Sequence, residues 1–241
     1  MTKHFGVLFA AIASLVAARP ADAVTMFFDF GTPTSPSAAS NYNDVILENN
    51  PQPIVLANTI DNSGNGTGIG LTVSGFHRSS NPNGTAAATG DMAAVFVSSA
   101  LLDSAYTHVV GWDGEGALPQ GSLVFTGLDN GSVYDFTMSA SRMSVGDNRE
   151  TLYTATGSNS ATATLNIANN SSNVVTIAGI APDAGSITLT VEAGVNNTNN
   201  PYKFSYLGAL RVTSSPAVPE PTTLGLAGLS ALGLAFRRRS A

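Results

Sequence analysis

Cysteine is absent from the 241 residues, which excludes disulfide bonds and thiolate metal sites. Charged residues are also scarce: they make up 11% of the chain, whereas about 25% is usual for soluble domains. The 10 basic residues are outnumbered by 16 acidic ones, which gives a formal net charge of −6. Because nucleic-acid binding needs a basic face, we expect no nucleic-acid partner.

Small polar and β-branched residues dominate the remainder and favour an all-β domain. Residues 186–191 alternate strictly, with Ile187, Leu189 and Val191 on one face, which is the period-two pattern of a strand. Short strands separated by glycine, asparagine and aspartate turns predict one jelly-roll or β-sandwich domain over residues 24–213. The predicted strands are 24–30, 69–76, 93–98, 107–112, 122–126, 133–140, 151–156, 161–167, 174–177, 186–191 and 204–212.

The N-terminus has the pattern of a secretory signal peptide. Lys3 precedes an apolar run at residues 5–18, and Ala21 and Ala23 form a small-x-small cleavage site. We therefore expect residues 1–23 to be a signal helix that is removed, so that the exported chain begins at Val24.

The C-terminus combines a proline-rich linker, a short apolar segment and a basic end. Residues 214–221 form a proline-rich linker, residues 222–236 are apolar, and residues 237–241 are basic. As a helix the apolar segment would be roughly 22 Å long. The hydrocarbon core of a membrane is about 30 Å thick, which takes about 20 helical residues to cross, so the segment is short for a span. Arginines after such a helix stay cytoplasmic. These features predict a short transmembrane helix that anchors the chain transiently in the inner membrane; a permanent anchor is the alternative.

The order of these tail features resembles the PEP-CTERM sorting signal of Gram-negative bacteria. The matching residues are Val218, Pro219, Glu220 and Pro221, followed after the apolar segment by Arg237, Arg238 and Arg239. The resemblance implies processing by an exosortase, a membrane transpeptidase, near the Pro-Glu-Pro motif. It also implies delivery to the cell surface or the extracellular matrix, where such proteins are associated with exopolysaccharide and biofilm.

The body shows a second resemblance, to galactose-binding-like jelly rolls. The segments "FFDFG", "YDFTMSASR…DNRETLYTATG" and "PYKFSYLGALRV" occur in the same order as in that family. The resemblance implies that the first and last strands pair within the sandwich, and it suggests carbohydrate binding.

A glycine-rich segment, "GWDGEG", holds the only tryptophan, Trp112, beside Asp113 and Glu115. An exposed tryptophan beside carboxylates can form a sugar-binding platform, whereas a buried one would fill the core. Two carboxylates about 5 to 10 Å apart can instead hydrolyse a glycosidic bond. These residues are therefore candidates for ligand binding, with a glycosidase as the alternative.

Two polar segments supply further candidates for ligand binding. In "SRMSVGDNRE", Arg142 and Arg149 offer planar guanidinium groups that bind oxygen pairs, and Asp147 is the nearby acid. The alternative is an ion pair of Arg149 with Asp147 or Asp135. Tyr202 lies in a second polar loop, residues 196–203.

Oxygen donors at Asp61, Ser63 and Asn65 resemble the first half of a calcium-binding loop. The glutamate expected at the twelfth position of such a loop is replaced by Thr72, and turns of this composition also occur without an ion. Calcium is therefore a candidate cofactor, in this loop or elsewhere in a jelly roll of the galactose-binding type. His77 and His108, the histidines that follow the signal segment, are expected to be loop or surface residues.

Taken together, these features predict a secreted, exosortase-sorted protein of the cell surface or extracellular matrix. We expect it to be non-catalytic, with a binding or structural role in exopolysaccharide. Two alternatives stay open: a secreted polysaccharide-acting enzyme of the glycoside hydrolase or esterase type, and a coat protein without a ligand.

Overall fold

Two β-sheets face each other in the computed structural model, which describes residues 23–32 and 41–217. A short helix, α1 (Gly90–Val95), and a 3-10 turn (Ser98–Leu101) interrupt the strands. The strands are β1 (Thr25–Gly31), β2 (Tyr42–Ile46), β3 (Ile54–Leu56), β4 (Gly70–Ser74), β5 (Ala105–Thr107), β6 (Gln120–Thr126), β7 (Ser132–Ser139), β8 (Glu150–Thr156), β9 (Ser160–Asn166), β10 (Val175–Ile180), β11 (Ser186–Ala193), β12 (Ser205–Leu207) and β13 (Ala209–Pro216).

The chain passes repeatedly between the two sheets, as in a jelly roll. The first sheet has the order β10-β7-β13-β1-β2, and the second has the order β3-β4-β6-β11-β8-β9. All pairs are antiparallel except β1 with β2. A separate two-stranded sheet joins β5 to β12. The predicted β-sandwich is confirmed.

The first and last described strands pair, as the galactose-binding-like resemblance implies. β1 runs antiparallel to β13, with Phe28 opposite Leu210. Both residues are fully buried. This pairing ties the two ends of the described chain into the middle of one sheet.

Aromatic contacts link the two sheets across the core. The ring of Phe125, on the second sheet, lies 5.6 Å from the ring of Phe28 and 5.6 Å from the ring of Phe136, both on the first sheet. All three rings are fully buried. Burial of large apolar side chains stabilises the sandwich by about 1.5 to 3 kcal/mol each, which a chain without disulfide bonds needs.

The predicted strand at residues 93–98 is wrong, because α1 and the 3-10 turn occupy this region. Met92 and Phe96 are four residues apart and both buried, so they share one face of the helical segment. They pack in a small apolar cluster with Tyr42 and Phe27, on the outer face of the first sheet. This tertiary contact favours the helix over the strand, and Tyr42 belongs to β2, a strand that the sequence analysis missed along with β3.

Two further strand predictions need correction at their ends. The strand expected at residues 107–112 is wrong beyond Thr107, because β5 covers Ala105–Thr107 and His108 forms only an isolated bridge with Leu118. The strand expected at residues 204–212 is split at Gly208 into β12 and β13, and β13 continues to Pro216, so residues 214–216 belong to a strand and not to the predicted linker. A Cβ atom at Gly208 would lie 3.1 Å from the carbonyl oxygen of Asp103, so the chain passes close to a neighbouring backbone at this break.

Several predictions fall outside the described residues. These are the signal helix at residues 1–23, apart from Ala23, the sorting motif at residues 218–221, the apolar sorting helix at residues 222–236 and the basic tail at residues 237–241. Within residues 23–32 and 41–217, none of the helical segments has the length and apolar character of a membrane span.

Asp29 is a buried carboxylate on the outer face of β1. It is 2% exposed, and neither of its oxygens has a hydrogen-bond partner among the described residues. Burial raises the pKa of Asp29 to about 8, and the negative charges of Asp103 and Asp44 act in the same direction. The folded chain therefore holds a proton over a pH range in which the unfolded chain has released it.

We predict that Asp29→Asn flattens the dependence of stability on pH. Between the ordinary carboxyl pKa of 3.8 and the raised pKa of about 8, the folded state binds more protons at this site, so stability falls as pH rises. The variant should therefore gain stability over the wild type as pH increases across this window, as measured by urea unfolding at a series of pH values. The exposed Asp183→Asn serves as the control and should keep the wild-type profile. Equal pH profiles for Asp29→Asn and the wild type would contradict the prediction.

Candidate functional site

The pairing of β5 with β12 positions the residues of the candidate site. Tyr106 lies opposite Tyr206 in this two-stranded sheet, and Thr107 lies opposite Ser205. The hydroxyls of Thr107 and Ser205 are hydrogen-bonded to each other, although these residues are 98 positions apart. The pairing brings the segment that leads to Trp112 against residues 202–206.

A cleft of about 300 Å³ opens beside this pairing. Its volume is at the lower end of the range for small-ligand sites. We call it the aromatic cleft because rings from three segments dominate its lining. The lining residues are Ser80, Asn81, Pro82, Tyr106, Trp112, Arg142, Arg149, Phe204 and Tyr206.

Trp112 is half-exposed at this cleft and does not fill the core. Its side chain is 40% exposed. Its ring meets the ring of Tyr202 edge-on at 4.8 Å and that of Phe204 at 5.5 Å. Tyr202 in turn stacks on Phe204 at 5.4 Å. The structure therefore brings together two predicted site residues, Trp112 and Tyr202, from opposite halves of the chain.

A tight turn separates Trp112 from the two acids that follow it. Trp112 and Glu115 exchange both backbone hydrogen bonds, at 3.1 and 2.9 Å. The residues between them, Asp113 and Gly114, have φ values of +48° and +81°, as a type I′ turn requires. Neither Asp113 nor Glu115 lines the aromatic cleft. Glu115 instead lies 3.8 Å from the guanidinium of Arg78, in a wider groove of about 660 Å³.

Arg149 joins the charged loop to the aromatic cleft. Its guanidinium lies 5.7 Å from the centre of the Phe204 ring and 5.8 Å from that of the Tyr206 ring. Its Nε also donates a 3.0 Å hydrogen bond to Asp147, and a second N–H donates to the Tyr206 hydroxyl. The ion pair considered for Arg149 is therefore present with Asp147, and it holds the guanidinium at the cleft. Arg142 lines the same cleft and donates to the carbonyl of Met143 at 2.9 Å.

The two histidines were expected to be loop or surface residues; both lie outside the strands, but neither is at the surface. His77 and His108 are both fully buried, because they pack against each other and against Tyr106 in a ring cluster. Nδ1 of His77 contacts the hydroxyl of Tyr106 at 2.6 Å, and Nδ1 of His108 contacts the carbonyl oxygen of Val110 at 2.7 Å. Burial lowers the pKa of His77 despite the opposing charge of Glu115, which favours the neutral ring.

The predicted calcium loop is folded around one of its own carboxylates. Oδ1 of Asp61 accepts hydrogen bonds of 2.8 Å from the backbone N–H groups of Ser63 and Asn65. These bonds lower the pKa of Asp61, with the Asn65 backbone as the largest cause. The loop lies outside the lining of the aromatic cleft, and calcium at Asp61, Ser63 and Asn65 stays a prediction.

Sequence reasoning missed the residues that form most of the cleft. Phe204 and Tyr206 fall in a predicted strand and Tyr106 in none, and the three become neighbours only through the pairing of β5 with β12. The single local signal was the density of aromatic residues in "PYKFSY". Ser80 and Asn81 carried no signal that distinguishes them from other polar loop residues.

Comparison with known proteins identifies the tail. Residues 217–239 match the PEP-CTERM protein-sorting motif. This chain carries a PEP-CTERM sorting signal. No curated protein matches the chain. A solved structure with some similarity is that of TmCBM61 in complex with beta-1,4-galactotriose, at 10% sequence identity and a TM-score of 0.23, covering 48% of this chain and 68% of the other.

We predict that Trp112→Ala destabilises the fold only moderately. A fully buried large aromatic loses about 3 to 5 kcal/mol on truncation to alanine, whereas Trp112 is 40% exposed and packs on one side. The expected loss of unfolding free energy is about 1 to 2 kcal/mol, because the exposed part of the Trp112 ring stays in water in the folded state and contributes no burial energy. Chemical denaturation of the variant measures it, and a loss as large as that of Phe125→Ala would show that Trp112 is a core residue.

Proposed function

We propose that the body of this exported protein binds carbohydrate, without catalysis, in the aromatic cleft. The observation that carries the proposal is the half-exposed ring of Trp112 beside a cleft in which Arg149 lies against Phe204 and Tyr206. Aromatic faces stack on the C–H groups of sugar rings, and guanidinium groups donate to pairs of hydroxyl oxygens. The cleft supplies both kinds of contact in one place.

Polar groups with unused bonding capacity support this proposal. The hydroxyl of Ser80 is buried at the cleft and has no hydrogen-bond partner among the described residues. Arg142 uses one N–H group on the carbonyl of Met143, and a guanidinium has five such donors. A sugar hydroxyl placed between Ser80 and Arg142 would satisfy groups that are otherwise unpaired.

The composition of the cleft favours binding over hydrolysis. Glycoside hydrolysis needs two carboxyl groups that flank the scissile bond. No aspartate or glutamate is among the described residues that line the aromatic cleft. The candidate acid pair, Asp113 and Glu115, belongs to the turn beyond Trp112, where Glu115 contacts Arg78. The alternative hypothesis of a polysaccharide-acting enzyme would require a different cleft.

The sorting signal supplies the cellular context of the proposal. We infer that the exosortase of a Gram-negative host removes the tail near Val218–Pro221 and passes the body to the cell surface or extracellular matrix. In that setting an extracellular polysaccharide would be the partner of the aromatic cleft. The membrane anchor would be transient, because processing separates the body from residues 222–241.

We predict weak carbohydrate binding that depends on Trp112. Each sugar hydroxyl exchanges bonds to water for bonds to protein, with a net gain of about 0.5 to 1.5 kcal/mol, so we expect a Kd in the micromolar to millimolar range. Titration calorimetry against a panel of oligosaccharides, including galactose-based ones, measures it. Trp112→Ala should abolish the binding, and Ser80→Ala should weaken it about 2- to 12-fold, through the loss of one hydrogen bond.

The matched control for this experiment is Val55→Ala, an exposed apolar residue on the edge strand β3 that lies outside the cleft lining. It should bind like the wild type. The thermal midpoint of each variant is measured in parallel, so that lost binding is not confused with unfolding. If Trp112→Ala binds as tightly as the wild type, the aromatic cleft is not the sugar site.

We also predict that replacing Arg237, Arg238 and Arg239 by serine disturbs sorting. An arginine at the middle of the membrane costs about 2.5 to 3.5 kcal/mol, so three arginines hold the end of the chain on the cytoplasmic side. The variant should appear unprocessed or released, as measured by fractionation and by the mass of the mature chain. Surface delivery and tail cleavage identical to the wild type would contradict the retention role.

A further inference from the structure

Three potential metal ligands lie close together at the turn from Trp112 to Glu115. One ligand atom from each of His77, His108 and Glu115 lies within 4.8 Å of those of the other two. Both histidines are fully buried, and the Glu115 side chain is 23% exposed. None of the three lines the aromatic cleft, although Tyr106, which does line it, contacts His77.

The two imidazole rings present unused nitrogens to this cluster. Nε2 of His77 and Nε2 of His108 are buried and form no hydrogen bond with any described residue. A buried polar atom without a partner costs about 1 to 3 kcal/mol, so two such atoms on rings whose centres are 5.4 Å apart call for an explanation. An ion that accepts both lone pairs would satisfy them together.

The hydrogen bond on the far side of the His108 ring suits this role. Nδ1 of His108 lies 2.7 Å from the carbonyl oxygen of Val110, which can only accept, so the proton sits on Nδ1 and the lone pair is on Nε2. Metal-binding histidines commonly donate their other N–H to a carbonyl in this way. For His77, Nδ1 accepts a 3.1 Å hydrogen bond from the backbone N–H of Ser79 and lies 2.6 Å from the hydroxyl of Tyr106. An ion at Nε2 requires the proton on Nδ1, so the Ser79 bond would give way and the Tyr106 hydroxyl would accept a hydrogen bond from Nδ1.

The spacing of one ligand pair, His77 and Glu115, also matches a metal site, and the other pairs lie within 4.8 Å. Nε2 of His77 lies 3.4 Å from Oε2 of Glu115, yet the two atoms are not hydrogen-bonded. Two ligands of one tetrahedral zinc ion, each about 2.0 to 2.1 Å from it, are roughly 3.3 to 3.4 Å apart. The contact between His77 and Glu115 therefore has the separation of two ligands that share an ion.

We propose that His77 Nε2, His108 Nε2 and the Glu115 carboxylate bind a divalent transition metal ion, with zinc as the favoured ion. Two imidazoles and one carboxylate form a ligand set that zinc accepts, with a fourth position left for water. A purely oxygen-binding ion such as calcium would not use the imidazoles. Glu115 also lines the groove of about 660 Å³, which gives an ion access from solvent.

The site joins two segments that are distant in sequence. His77 follows β4, whereas His108 and Glu115 flank the strand end and turn that carry Trp112. A bound ion would therefore fix this turn against the loop of His77 and Arg78. Since an ion that binds only the folded state stabilises it by mass action, zinc should raise the thermal midpoint. This proposal does not depend on carbohydrate binding.

The test is zinc binding by the full-length chain without a polyhistidine tag, after treatment with a chelator. Titration calorimetry should show one zinc ion per chain, and zinc should raise the thermal midpoint in the absence of any sugar. Cobalt should give the visible absorption of a tetrahedral site. Glu115→Gln should lower the zinc affinity by more than about 100-fold, since loss of even an outer-shell partner costs about 10- to 100-fold.

The control is Arg78→Gln, which removes the 3.8 Å ion pair with Glu115 but leaves all three ligands. It should bind zinc as tightly as the wild type or more tightly, because a nearby positive charge is lost. Circular dichroism verifies that both variants are folded. Absence of stoichiometric zinc binding by the wild type, or equal zinc affinity in Glu115→Gln, would overturn the proposal.

Discussion

The three-residue pairing of β5 with β12 is the constraint on which the candidate sites depend. It places Tyr106 opposite Tyr206 and buries both rings. β12 continues through Gly208 into β13, which pairs with β1 in the middle of the first sheet. The cleft is therefore built on strands whose position is set by the core, and its aromatic rings lose little further entropy when a ligand binds.

Tyr106 connects the two candidate sites through opposite parts of one side chain. Its ring lines the aromatic cleft, and its hydroxyl contacts Nδ1 of His77. The turn from Trp112 to Glu115 makes a second connection, since Trp112 faces the cleft and Glu115 approaches His77. Any ion held by the histidine cluster would consequently stiffen the wall of the cleft that Trp112 forms.

Elements with a strong local pattern were predicted well, and those determined by distant contacts were not. Residues 186–191 alternate, and the structure buries Ile187, Leu189 and Val191 as expected. Residues 93–98 have apolar and β-branched character but are helical, because Met92 and Phe96 cover the outer face of the first sheet. The predicted site residues Trp112, Arg142 and Arg149 do meet in one cleft, whereas Asp113 and Glu115 do not line it.

The sequence by itself determined what can be read over a few consecutive residues: period-two strands, turn residues such as Asp113 and Gly114, and the sorting motif at residues 217–239. Tertiary structure alone decided that His77 and His108 are buried and adjacent, and that Phe204 meets Trp112. The physical reason is that burial and ligand geometry depend on contacts between segments about 30 to 100 residues apart. Such contacts form through the packing of two sheets and leave no periodic trace in the local sequence.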